Sequence, residues 1–165
     1  LHCLVNNAEG GSSTAVDGFA VANFLKKNHL KKYKLLTENK VTFKDNDFTQ
    51  KNIRVQKSSI IKINKYKNFE EVRINLGAMG TLDLNPKIMD KFYNAYIFFY
   101  KQLHSKKFQI SFKLKAGDIF CFDNRRILHG RTQFNPYSGK RHLQGYYIER
   151  EEITSKLNYL NKIKF

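Results

Sequence analysis

Apolar residues in this chain come mostly in short runs, separated by turn formers. That pattern constrains the fold more than any other feature of the sequence. Leu1–Val5, Val41–Lys44, Ile53–Val55, Ile60–Ile63 and Phe69–Leu76 read as strands. So do Phe108–Leu114, Asp118–Phe122, Arg126–Leu128 running on to His129, and Arg141–Glu149. Ser58-Ser59 is expected to split the third run from the fourth. Asn6–Thr14, Gly77–Gly80 and Lys115-Ala116-Gly117 carry the turn chemistry between runs. Helical spacing occurs less often. Asp17 is placed to cap a helix over Gly18–Lys27, a second helix is expected over His29–Leu36, and Arg150–Leu160 closes the chain as a third. The clearest helix opens at Asn85-Pro86, with Asn as cap and Pro at the first helical position. Its stripe of Ile88, Phe92, Ala95, Tyr96, Phe99 and Leu103 repeats at helical period and faces a core. Many short strands and few helices point to a β-sandwich with helices packed outside it, as a single domain over residues 1–165.

Composition narrows the class. Of 165 residues, 41% are hydrophobic, enough for a core and too many for a disordered chain. No apolar run reaches the roughly 18–20 residues of a membrane span, and no secretory leader pattern is visible. The chain opens on Leu1 inside an apolar stretch, so it is expected to start within a longer protein. The net charge is +16, from 30 Lys and Arg against 14 Asp and Glu. The lysines are scattered among Asn, Ile, Tyr and Phe, residues of A/T-rich codons, so no nucleic-acid partner is expected. Cys3 and Cys121 are too few for a disulfide framework, and both are expected to be reduced and buried.

The chemistry sits in Lys115–Tyr147, KAGDIFCFDNRRILHGRTQFNPYSGKRHLQGYY. His129 alone near a strand end would be an ordinary structural histidine, and Arg141 alone is equally bland. Together they fit a non-haem Fe(II) oxygenase. Such a site needs two His and one carboxylate on one face of the metal, leaving positions for 2-oxoglutarate and O2. The distal carboxylate of 2-oxoglutarate needs a permanently charged, two-pronged partner, which Arg supplies better than Lys. Arg141 follows His129 on the next strand, after the loop Gly130–Lys140. Asp123-Asn124 is expected to shape the turn into the His strand. Gly10-Gly11 lacks the spacing and the Lys-Ser/Thr of a phosphate loop.

GDIFCFDNRRILHGR followed by KRHLQGYY resembles the γ-butyrobetaine dioxygenase and trimethyllysine dioxygenase family, within the wider taurine dioxygenase superfamily. LHCL at the start, GGSSTAVDGF at Gly10–Phe19 and VRINL at Val72–Leu76 fall in the family's order, so the resemblance spans essentially the whole chain. The longer loop before Arg141 is more like the butyrobetaine branch. The resemblance implies a double-stranded β-helix, or jelly roll, and Fe(II), 2-oxoglutarate and O2 as reactants, with ascorbate in support. It implies hydroxylation of a trimethylammonium compound, most simply γ-butyrobetaine to carnitine, with trimethyllysine as the alternative substrate. It makes His129 the second iron-ligating histidine and Arg141 the anchor for 2-oxoglutarate. Ser13 falls near the 2-oxoglutarate, Tyr147 against the trimethylammonium group, and Asn75 at the substrate. An aromatic face suits that cation, which has no N–H to donate.

Two departures stand out. Arg125 occupies a position where relatives carry Trp. None of His2, His29, His104, His129 or His142 is followed two residues later by Asp or Glu, so the family's H-x-D pair is expected upstream of Leu1. Without it, these residues alone are expected to be inactive, and a catalytically inactive paralogue acting as a binding or structural protein is the alternative of another class. The family implies a cytoplasmic protein, or a mitochondrial one on the trimethyllysine branch, with a possible homodimer and no membrane partner.

Overall fold

The computed structural model describes residues 1–49 and 51–162, and among them it has nine strands and four helices. The strands are β1 (His2–Asn6), β2 (Ser13–Asp17), β3 (Lys40–Asp47), β4 (Asn52–Ser59), β5 (Ile61–Ile63), β6 (Phe69–Val72), β7 (Gln109–Phe112), β8 (Ile127–Arg131) and β9 (Arg141–Gln144). The helices are α1 (Gly18–Asn28), α2 (Leu30–Glu38), α3 (Pro86–Leu103) and α4 (Arg150–Lys162). The chain divides into two compact units. One comprises Leu1–Gly10, Leu114–Cys121 and Phe134–Phe165; the other comprises Gly11–Lys113 and Phe122–Gln133. Among the described residues, no helix is long and apolar enough to cross a membrane.

The larger unit holds the main core. Phe92, Ala95, Tyr96, Phe99 and Leu103 of α3 are buried, as their spacing predicts. They join Val21, Ala22 and Leu25 of α1, Tyr33 and Leu36 of α2, and Val41, Ile60, Ile61 and Val72 in one cluster. Truncating a fully buried aromatic such as Phe92 to Ala would cost about 3–5 kcal/mol. Local chemistry starts the helices. The carboxylate of Asp17 accepts from the N–H groups of Phe19 and Ala20, and the Oδ1 of Asn85 accepts from the Lys87 N–H at 2.9 Å. Three strands lie in the order β7-β2-β8, all antiparallel, and β3-β4 and β5-β6 are separate antiparallel pairs.

The smaller unit is built on one antiparallel pair, β1 with β9, bulged between Cys3 and Val5. Gly117 sits at φ +92, in the left-handed region that a side chain disfavours, and so closes the turn after Lys115. Helix α4 has no buried residue.

Several expected boundaries move. Ser58 and Ser59 belong to β4, and the break falls at Ile60, because both serines complete the ladder opposite Val41 and Lys40. The strand expected through Leu76 ends at Val72, where the chain turns into the Asn75–Met79 bend. The strand expected over Asp118–Phe122 is reduced to one bridge, Ile119 with His2, flanked by backbone bonds from Cys3 to Asp118 and between Leu1 and Phe120. The strand expected to run to Glu149 stops at Gln144, where the pairing with β1 ends at His2. Cys3 is buried as expected, whereas Cys121 is exposed, because its segment is not in a ladder; both are free thiols.

Candidate active site

Strand alternation decides which side chains of the β7-β2-β8 sheet point where. Val16 opposes Leu128, and both pack into the core described above. The other face must then carry the intervening residues. There Ala15 opposes His129 and Ser13 opposes Arg131 on β8, while Ser13 opposes Phe112 on β7. Ser13 and His129 are thus diagonal neighbours on one face, at the separation of about 7–8 Å typical of such pairs. One face buries the helical layer and the opposite face presents His129.

The turn into β8 is set by its own sequence. Asp123 Oδ1 accepts from the Arg125 N–H at 3.0 Å, and the Asp123 carbonyl accepts from the N–H groups of Arg126 and Ile127. The turn-shaping role expected for Asp123 is what the geometry shows. Arg125 is exposed, and its carbonyl accepts from the Val72 N–H at 2.9 Å. Arg126 grips the Asp17 carboxylate with Nε at 3.1 Å and a terminal nitrogen at 2.6 Å. The start of β8 is thereby tied to the N-terminus of α1, reinforced by the Gly18 N–H donating to the Arg126 carbonyl. Residue order carries no sign of this link, because the partners are 109 residues apart.

His129 is solvent-exposed as a residue, yet its ring lies against Phe122, with centroids 4.6 Å apart. Desolvation of the ring pushes its pKa below the ordinary 6.5, outweighing a hydrogen bond with the Ile127 backbone that pulls the other way. A histidine held neutral near pH 7 has a nitrogen lone pair available to a metal. The donor chemistry fits one ligand. Among the described residues, no group of three or more His, Cys, Asp or Glu side chains is arranged to hold a metal ion.

In the smaller unit, Arg141 begins β9 directly opposite Asn6 of β1. Its guanidinium lies over the Phe134 ring, 5.6 Å from the centroid, which holds the cation against an aromatic face. Tyr147 follows β9 and is 87% exposed. Tyr146 is exposed too, since the strand has already ended; its hydroxyl donates to Gln144 Oε1 at 3.0 Å. In the larger unit, Asn75 lies in the bend after β6. Its Oδ1 accepts from the Gly77 N–H at 3.0 Å and its carbonyl from the Met79 N–H at 2.9 Å, so this residue shapes the turn. Phe122, Phe134 and Asn6 had not stood out in the sequence. Register and ring stacking place them beside His129 and Arg141, and neither is visible in residue order.

Among curated proteins, the chain is 37% identical over 162 residues to a γ-butyrobetaine dioxygenase of Pseudomonas sp. (strain AK-1), covering 98% of this chain and 42% of that one. It is 32% identical over 166 residues to a trimethyllysine dioxygenase of Meyerozyma guilliermondii, covering 98% and 40%. The chain therefore spans about two fifths of the length of these relatives. Among solved structures, its fold matches PvcB, an Fe, alpha-ketoglutarate dependent oxygenase from an isonitrile synthetic pathway. The TM-score is 0.55 at 15% identity, over 81% of this chain and 45% of PvcB. The model of the taurine catabolism dioxygenase TauD, TfdA family matches residues 1–147, and the chain belongs to that family.

Proposed function

We propose that the whole protein is an Fe(II)/2-oxoglutarate-dependent dioxygenase that hydroxylates γ-butyrobetaine to carnitine, and that its strands form part of a double-stranded β-helix. The observation that carries this reading is His129. Its imidazole lies against Phe122 on the sheet face turned away from the core, with its pKa lowered by desolvation, in a chain 37% identical to a γ-butyrobetaine dioxygenase. Within this reading, His129 gives one nitrogen to iron. The second histidine and the carboxylate come from parts of the whole protein beyond the described residues, as an H-x-D pair. Arg141 grips the distal carboxylate of 2-oxoglutarate through two parallel N–H donations, and Ser13 adds a hydroxyl near the same ligand. Tyr147 lays its ring against the trimethylammonium group, and Asn75 contacts the substrate through its amide nitrogen.

Iron, when bound, supplies the oxidising chemistry. Across the reaction, 2-oxoglutarate becomes succinate and CO2. One oxygen atom of O2 enters succinate and the other converts a substrate C–H into C–OH. The chain's own share is to orient both carbon substrates and to keep His129 unprotonated. Ascorbate would support turnover by keeping iron reduced. The reading includes a cytoplasmic protein, possible homodimerisation, and no nucleic-acid or membrane partner.

Trimethyllysine hydroxylation is the second reading, favoured by the 32% identity to a trimethyllysine dioxygenase and carrying a mitochondrial location with it. Full-length protein incubated with Fe(II), 2-oxoglutarate and each substrate side by side separates the two. Succinate and carnitine formed in step support the first reading, and hydroxytrimethyllysine supports the second. Formation of neither product would favour an inactive paralogue. Tyr147→Ala should raise the KM for the cation about 2–30-fold while leaving 2-oxoglutarate affinity alone.

A further inference from the structure

Asn6 is 8% exposed and stands opposite Arg141 across the β1–β9 pair. Opposed residues of antiparallel strands project to the same face, with Cβ atoms about 5 Å apart. The Nδ2 of Asn6 donates to the Leu114 carbonyl at 2.8 Å. That bond fixes which way the carboxamide points, since an amide oxygen could not face a carbonyl there. Oδ1 is then the end left over. It is buried and accepts no hydrogen bond. Folded proteins rarely keep a buried amide oxygen without a donor.

A guanidinium consists entirely of donors, five N–H groups in a plane. A two-pronged carboxylate engages only two of them. The Phe134 ring already confines that plane from one side. We propose that Asn6 is a positioning residue for Arg141. When Arg141 turns its fork to the distal carboxylate of 2-oxoglutarate, a remaining N–H donates to Asn6 Oδ1 and fixes the fork's rotation. This inference rests on Arg141 being the 2-oxoglutarate anchor. It adds a binding determinant on a different strand, whose contribution appears only when the ligand is bound.

The test is calorimetry of 2-oxoglutarate binding to full-length protein loaded with Fe(II) under anaerobic conditions, where no turnover occurs. Asn6→Ala should weaken 2-oxoglutarate binding about tenfold and leave γ-butyrobetaine affinity unchanged. In the Arg141→Ala background, the same change should add nothing. A merely structural role would lower the melting temperature and weaken both ligands alike. If Asn6→Ala does not fold, Asn6→Leu fills the volume without an acceptor and should show the same selective loss. Unchanged 2-oxoglutarate affinity in a folded Asn6 variant, or an additive loss in the double variant, overturns the positioning role while leaving the anchor intact. Unchanged affinity in Arg141→Ala alone overturns the anchor, and this inference with it.

Discussion

Strands β8 and β9 carry the two residues on which the proposed chemistry depends, and they are held in different ways. β8 is one edge of a three-stranded sheet and pairs with β2 without a register break, from Ile127 to Arg131. Its reverse face is packed into the main core through Leu128, and its entry turn is tied to α1 by Arg126 and Asp17. β9 has four residues, a single partner strand and a bulge in that partner. The difference matches what each residue does in the proposed reading. A metal ligand works within about half an ångström of its ideal place, and a short imidazole inherits its position from the backbone. Arginine reaches its ligand at the end of a long side chain, so side-chain contacts such as the Phe134 ring can set the fork.

The largest expected effect tests the β8 half of that contrast. His129→Ala in the full-length protein should reduce hydroxylation by about 10³-fold or more while changing the melting temperature little, because the residue lies outside the main core. Hydroxylation within tenfold of wild type would remove His129 from the iron site. Next comes β9. Arg141→Ala should weaken 2-oxoglutarate binding about 100-fold, and Arg141→Lys should recover only part of it, since a point charge cannot replace a fork. Equal affinities for Lys and Arg would show that charge alone matters there.

A smaller effect probes the tie between β8 and α1. Asp17→Ala removes both the cap and the Arg126 pair and should cost about 1–2 kcal/mol, read from urea unfolding. The matching substitution for the pair alone, Arg126→Ala, should cost less than about 1 kcal/mol, because that guanidinium is half exposed. A larger loss from Arg126→Ala than from Asp17→Ala would reverse the assignment.

The smallest expected effects concern pH. Desolvation pulls the Asp17 carboxyl upward, but the hydrogen bond from Arg126, the N–H groups of Ala20 and Phe19 and the Arg126 charge outweigh it. Its pKa therefore lies below the ordinary 3.8. A lowered carboxylate pKa stabilises the fold above the unfolded value and loses that contribution as pH falls through the folded one. The stability difference between wild type and Asp17→Asn should therefore be flat from about pH 5 to 8 and shrink below about pH 4. The pKa of His129 is likewise lowered from its ordinary 6.5, here by desolvation. Iron affinity, measured by equilibrium dialysis, should hold through neutral pH and fall only on the acid side of that value.

The sequence alone carried much of this. The helices α1 and α3 were legible because Asp17, Asn85 and Pro86 cap them locally and the apolar stripe repeats at the helical period. The family was legible because Gly117–Tyr147 compresses a turn, a histidine strand and an arginine strand into one contiguous segment. Strand ends were less legible. The alternation of Gly145–Glu149 looks like more strand, yet β9 stops where its partner β1 runs out, and nothing inside those residues records that. For the same reason Tyr146 and Tyr147 are both exposed instead of facing opposite sides.

The short apolar runs determined that many short strands would form, although the four helices hold slightly more residues than the nine strands, and the presence of both His129 and Arg141 determined the chemistry to look for. Both are local signals, set by side-chain period and residue type. Only the tertiary structure decided that Val16 and Leu128 face the core, which leaves Ser13 and His129 together on the opposite face. It alone tied Asp17 to Arg126 and set Asn6 opposite Arg141. Those relations depend on strand register and on hydrogen bonds between residues far apart in the chain, and a one-residue slip in register would turn every side chain of a strand to the other face.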